Sequence, residues 1–285
     1  MATFKFRELI ININTVFHLH PLIILGGASV FFLAIGSFLN VVIYRWPRLL
    51  HASWTAQCQV LLDQALTPSK AWTFWQPRRS CCPHCHQLIP AWHNLPLISY
   101  LYLRGRCARC QGAISWRYPA VELLCLVLSL GAVYRFGLSP LLSGALVFLW
   151  VMLCIFFIDL EHQIIPDGCS LSLLWLGLLL NTQHQWTSLP DAVYAASIAY
   201  VSLWLFIHGY AKLTGKIGMG NGDFKLFAAL GAWFGCSSLL GILMGASLLG
   251  AVIGLAYLKR TQQGRDTPIP FGPFLCVAGV VKLFL

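Results

Sequence analysis

Residues 141–158 read LLSGALVFLWVMLCIFFI, eighteen positions without a charge, closed by Asp159. As a helix rising 1.5 Å per residue, such a run spans about 27 Å, close to the hydrocarbon thickness of a bilayer. Its apolar residues show no alternation and no polar face, so it fits neither a half-buried strand nor a surface helix. It reads as a transmembrane helix. The rest of the chain agrees. Of 285 residues, 58% are hydrophobic and 10% charged, and the mean hydropathy is +0.72. Further apolar runs cover about 22–44, 119–134, 169–180, 192–210, 224–235, 239–258 and 269–285. The expected fold class is therefore an all-α polytopic membrane protein of about eight transmembrane helices. The runs at 169–180 and 224–235 are short, which suits thinned bilayer or a protein-lined position.

This pattern divides the chain into an N-terminal segment with helix 1 (residues 1–44), a polar segment (45–118) and a seven-helix membrane domain (119–285). The polar segment carries nine basic residues against one acid, Asp63. Alternation puts Lys212, Lys216, Lys225, Lys259, Arg260 and Arg265 on the same side, which gathers fifteen of the nineteen basic residues on one face. By the positive-inside rule that face is cytoplasmic, with the N-terminus on the opposite side of a multi-pass membrane protein. The net charge of +10 is then accounted for by loops, and nucleic acid is not needed as a partner. Met1–His20 lacks a short apolar core ending in a cleavage site, so helix 1 reads as an uncleaved anchor.

Acids are scarce, and their placement carries the chemistry. FIDLEHQIIPDG places Asp159, Glu161 and Asp167 at and after the end of the third span. GMGNGDFK places Asp223 at the start of the sixth. Alternation brings Asp159 and Asp223 to similar depth on the same side of the membrane. A carboxylate at the hydrocarbon edge is costly and tends to be kept for a task. Two brought together cannot both ionise cheaply, which supplies one general acid and one general base for a water attacking a peptide carbonyl. The glycines of the second motif allow a substrate strand to come close. GMGNGD puts Asp223 where a dinucleotide fingerprint needs its third Gly and follows no strand, and GYAKLTGKI has five residues between its glycines where a phosphate loop has four, with Ile217 in place of Ser or Thr. The plainer reading of Asp223 is a helix N-cap, and for Glu161 and Asp167 it is loop solvation or capping.

A second constellation lies in the polar segment. CCPHCH and RCARC supply Cys82, Cys85, Cys107 and Cys110 as two C-x-x-C knuckles. That spacing points to a structural zinc held by four thiolates in a reducing compartment. Cys81, His84 and His86 are weaker ligand candidates. The remaining cysteines read as small apolar residues.

Taken together, GSFLNVVIYRWP (36–47), the CPHC to RYPAVELL segment, IDLEHQIIPD, GMGNGDFKLFAALGAW and TPIPFGP resemble the type IV prepilin peptidases over nearly the whole chain. The resemblance implies a bifunctional leader peptidase and N-methyltransferase of type IV pilus and type II secretion systems. Asp159 and Asp223 would be its catalytic aspartates. The substrates would be prepilins or pseudopilins, cut after a Gly, with the new N-terminal amine then methylated from S-adenosylmethionine. Methyl transfer needs a neutral amine lined up with the donor, so a nearby carboxylate is useful. Glu122, beside Arg117, is the candidate, with an ion-pair or helix-start role as its plainer reading. Asn40, Arg45 and Gly105 are further candidates. No nucleotide fingerprint marks the donor site, and nothing indicates an oligomeric state. A zinc-bearing transporter would want its acids near the midplane, whereas both aspartates sit at helix ends. Preflagellin-type peptidases generally lack the cysteine segment.

Overall fold

The computed structural model describes residues 21–62, 80–82, 84–215, 219–261 and 269–285. The anchor reading of Met1–His20, Gly218 of the glycine run, and Thr267 and Pro268 of the last motif lie outside them. The described chain is helical: α1 Pro21–Leu61, α2 Ile98–Tyr102, α3 Arg117–Phe136, α4 Pro140–His162, α5 Asp167–Asn181, α6 Leu189–Thr214, α7 Asn221–Phe234, α8 Cys236–Thr261 and α9 Gly272–Phe284. Each of the eight expected spans corresponds to one of these helices. Five, namely α1, α3, α4, α6 and α8, are long and apolar enough to cross a membrane. With 15, 14 and 13 residues, α5, α7 and α9 rise only about 20–23 Å.

The first helix does not stop at Tyr44, where the apolar run ends. It continues to Leu61 with Pro47 inside it. Lipid is not required for backbone hydrogen bonding, and good helix formers such as Leu49, Leu50, Ala52, Ala56 and Gln57 carry it on. Pro47 removes one ladder bond without ending the helix.

Two compact units make up the backbone, one up to Leu146 and one from Val147. In the first, α1 packs along α3. Gly36 makes the close approach possible, since a Cβ there would lie 2.8 Å from Glu122 Cα and 3.1 Å from Cys125 Cβ. Small residues at a helix crossing let backbones meet in this way.

In the second unit, α7 is the hub and packs on α5, α6, α8 and α9. From Asp223 to Phe234, every residue except Lys225 is buried, so this short helix is lined by protein, as one of the two alternatives for its length required. Gly231 meets the α6 backbone, where a Cβ would lie 2.8 Å from the Ala195 carbonyl. Trp233 stacks near Phe148 and Trp186, with ring centroids 4.8 and 4.9 Å apart, and its Nε1–H donates to the Leu173 carbonyl at 2.8 Å. Asn181, buried, ties down the C-terminal end of α7. Its Nδ2 donates to the Ala232 and Trp233 carbonyls, and its Oδ1 accepts from the Trp186 and Thr187 N–H groups. Otherwise orphaned carbonyls at the helix end are thus satisfied.

Candidate active site and metal centre

Three helix ends converge in the second unit. Asp159 lies in the last turn of α4, Asp223 in the first turn of α7, and Gly272 opens α9. Asp159 and Asp223 are buried, 5% and 8% exposed, and close enough for their charges to repel. The Gly272 N–H donates to the Asp159 carboxylate. A Cβ at Gly272 would collide with that carboxylate and lie 2.8 Å from Ile165 Cδ1. Gly222, next to Asp223, abuts the same Ile165 from the other side, with 2.8 Å left for a Cβ. The two glycines let α7 and α9 close around one side chain and bring both carboxylates together. Both helices also direct N-terminal N–H groups toward the acids, the favourable sense of the helix dipole.

Asp223 is not the N-cap residue of α7, although its carboxylate receives the Gly220 N–H. Gly220 is at the N-cap position and makes no side-chain cap bond, while Asp223 sits inside the first turn with its N–H on the Gly220 carbonyl at 3.2 Å. Its Oδ1 is buried and has no hydrogen-bond partner among the described residues. A buried acceptor left without a donor costs about 1–3 kcal/mol or more and calls for an explanation in function. Cys276, one helical turn after Gly272, is buried beside both aspartates. Nothing in the sequence sets this cysteine apart from the other small apolar ones. Glu161 is exposed. Asp167 begins α5 and pairs with Lys225 Nζ at 2.7 Å.

The four cysteines meet in the first unit. The Sγ atoms of Cys82, Cys85, Cys107 and Cys110 all lie within 4.8 Å of one another, with Cys82 and Cys110 3.7 Å apart. Tetrahedral zinc with Zn–S bonds near 2.3 Å has edges of about 3.8 Å, so the cluster fits such an ion. Two similar knuckles build it. Cys82 N–H donates to Gln87 O and His86 N–H to Cys82 O; Cys107 N–H donates to Gly112 O and Gln111 N–H to Cys107 O. In each knuckle the residue after the second cysteine takes positive φ, 55° at His86 and 57° at Gln111. The N–H groups of Cys110 and Arg109 pull the Cys107 thiol down to about 6. Cys110, against the pull of the Gly112 N–H, is pushed up to about 11 by desolvation and the neighbouring sulfurs. Four crowded thiols resist joint ionisation, and a bound cation removes that resistance. His84 instead packs where a Cβ on Gly112 would lie, 2.8 Å away.

Glu122 is buried at 7% exposure in α3. Its Oε2 accepts the Leu97 N–H at 2.8 Å, and the Ser37 hydroxyl also bonds to it. With Asn40 and Arg45 it lines a cavity of about 710 Å³ whose wall includes Cys82 and Cys107. Gly105 does not line it. That glycine takes a φ of 68° in a turn and packs on Tyr100, a wall residue. Leu97 and Ser37 were not legible beforehand, because neither is chemically unusual in sequence.

Comparison with known proteins accounts for both units. Residues 30–136 match the bacterial peptidase A24 N-terminal domain, and residues 146–255 match the type IV leader peptidase family. The chain belongs to the type IV leader peptidase family. It is 46% identical over 272 residues to a prepilin leader peptidase/N-methyltransferase of Legionella pneumophila, covering 95% of each chain. Similar relatives of the same description occur in Stutzerimonas stutzeri, at 43% identity over 93% of this chain and 91% of the other, and in Neisseria gonorrhoeae, at 44% over 88% and 87%. No solved structure matches the chain. Membership of the family makes the paired aspartates the evident place to seek its peptidase chemistry.

Proposed function

We propose that this chain removes the leader from type IV prepilins or type II secretion pseudopilins and then methylates the new N-terminus, with S-adenosylmethionine as donor. The observation that carries the reading is the pairing of Asp159 and Asp223 in the interior of the second unit, with one buried oxygen of Asp223 left without a donor. In this reading one carboxylate takes a proton from a water held between the pair. The water oxygen bonds to the scissile carbonyl carbon, the C–N bond breaks, and the other carboxyl group gives its proton to the departing nitrogen. Gly272 N–H holds Asp159 in place, and Ile165 between Gly222 and Gly272 sets the spacing of the helices that carry the acids.

Glu122, Asn40 and Arg45 are assigned to the methylation, with Gly105 as a turn glycine that shapes the adjoining wall. S-adenosylmethionine supplies a methyl group activated by a sulfonium cation. The four cysteines hold one zinc ion. Its closed thiolate shell leaves no open coordination position, so its part is to fold the segment around residues 80–113. The basic excess on one face supports an inner-membrane orientation with the aspartates and the zinc segment in the cytoplasm and the N-terminus in the periplasm. A basic leader gains nothing from that face, so recognition rests on the apolar pilin helix and on local acids.

The test is to incubate purified protein with a prepilin, with and without S-adenosylmethionine, and to weigh the products. Leader loss in both samples and one added methyl in the second are expected. An intact precursor after incubation with folded, zinc-loaded wild-type protein would overturn the reading.

A further inference from the structure

We propose that the cavity between α1 and residues 80–122 is the seat of the methyl donor, with its sulfonium held against the Glu122 carboxylate and Asn40 Oδ1; this rests on the methyltransferase reading above. The orientation of the Asn40 amide is fixed by its surroundings. Its nitrogen faces two carbonyls, Tyr118 O at 3.0 Å and Gly36 O at 3.4 Å, which only an N–H group satisfies. Its oxygen is therefore an acceptor, and at 3% exposure it has no hydrogen-bond partner among the described residues.

Glu122, which lines the same cavity, is held by two donors. The Leu97 N–H that it accepts comes from a strained three-residue turn, with Leu97 at φ 57° and ψ −46° and the Ile98 N–H on the Pro96 carbonyl at 2.5 Å. Turns of this hand are rare for a residue with a side chain, and they persist where the surrounding structure demands them. The cavity thus has a fixed buried carboxylate and, buried in its wall, an unused acceptor on a lining residue, among mainly apolar side chains. Such a place favours a cation. An amine must be neutral to react, and a seat that favours cations would keep it protonated. A sulfonium is charged in any case, and its charge is spread over C–H groups that approach oxygens directly.

The rest of the cavity suits the rest of the donor. Its volume of about 710 Å³ falls in the range of sites for small ligands. Tyr44 on its wall is steadied by the Arg48 guanidinium, 3.6 Å from the ring centroid, and offers a flat face to a purine. Arg45 lies beside it to meet a carboxylate.

Calorimetry on full-length, zinc-loaded protein in detergent tests this, using S-adenosylmethionine, the neutral thioether S-adenosylhomocysteine, and sinefungin, which carries an amine in place of the sulfonium. Wild type should bind each at one per chain and prefer the two cationic probes. Glu122→Gln should erase that preference, weakening the cationic probes by about tenfold and the thioether far less. Val41→Trp, which fills the cavity from α1, should weaken all three by about tenfold or more. Zinc content and unfolding temperature check that each variant is folded. If wild type binds but both folded variants bind like it, the donor sits elsewhere and the methyltransferase reading stands. If wild type binds none of the probes and leaves a cleaved pilin unmethylated, that reading fails and this inference fails with it.

Discussion

Asp223 and Glu122 are buried to nearly the same degree, 8% and 7% exposed, yet their surroundings prepare them for different tasks. Glu122 is clamped by the Leu97 N–H and the Ser37 hydroxyl. A carboxylate with donors around it works as a fixed charge. Asp223 faces a second carboxylate and keeps an oxygen without any donor. Such a group is suited to taking and giving a proton. Burial alone does not distinguish these roles, nor does the presence of donors, since the Gly220 and Asp223 N–H groups also reach the Asp223 carboxylate; the second carboxylate beside Asp223 and its one unpartnered oxygen do.

The strongest way to break the comparison is to neutralise the proton-exchanging pair. Asp159→Asn or Asp223→Asn should stop leader removal, a loss of at least about 10³-fold, while the protein still inserts in the membrane. The mass of a prepilin after incubation is the measurement, and substantial cleavage by either folded variant would remove the two-aspartate mechanism. The same variants should still methylate a pilin supplied already cleaved. Gly272→Ala sharpens the point, because it adds a methyl group against the Asp159 carboxylate without changing any charge. Cleavage should fall by about 10²-fold, the cost of a displacement near 1 Å. Unchanged turnover would mean that Asp159 is not held by the α9 terminus.

Changes in the first unit should act on the other activity. Cys82→Ser should drop the metal content from one zinc per chain to a small fraction, lower the unfolding temperature and reduce methylation, since Cys82 forms part of the cavity wall as well as the cluster. Elemental analysis decides this, and full zinc content would overturn the ligand set. Glu122→Gln keeps the shape and removes the charge. It should leave leader removal near normal, because Glu122 and the aspartates belong to different compact units, and leave the new amine largely unmethylated when S-adenosylmethionine is limiting. Normal methylation would dismiss Glu122 from the site. Loss of both activities would make its role structural.

The parts of this architecture that could be read from sequence were those where rare residues meet a strict pattern. Acids are few, and hydropathy alone put Asp159 and Asp223 at matching helix ends. The cysteine knuckles declared themselves by spacing, and eight apolar runs became eight helices. The parts that could not be read depend on what touches what. Gly272, Ile165 and Cys276 look ordinary in sequence, and they become part of the site only when α4, α7 and α9 converge. The length of α1 was missed because hydropathy reports where lipid ends, not where a helix does. Leu97 gave no sign of its turn, since positive φ is expected of glycine and asparagine. Asn40 stands out in sequence as a candidate, but the orientation of its amide follows only from the Tyr118 and Gly36 carbonyls that its nitrogen meets.

The smallest effect belongs to Asp167, and it tests whether proximity in sequence to Asp159 carries any function. Asp167 begins α5, where a negative charge is favourable, and pairs with Lys225 at 2.7 Å. The side chains of Lys225 and Asp167 are 27% and 60% exposed, so water and salt screen the pair. Exposed pairs of this kind contribute about 0–1 kcal/mol. Asp167→Asn should therefore cost less than about 1 kcal/mol of stability in detergent, with a smaller difference at high salt. Its leader cleavage should remain within about twofold of wild type. Lys225→Met breaks the same pair from the other side and should lower stability by a similar amount, with the effects of the double variant no larger than those of either single one. A loss of cleavage in Asp167→Asn as deep as that in Asp159→Asn, with stability unchanged, would show that a third carboxylate takes part in the chemistry, and that the buried pair does not act alone.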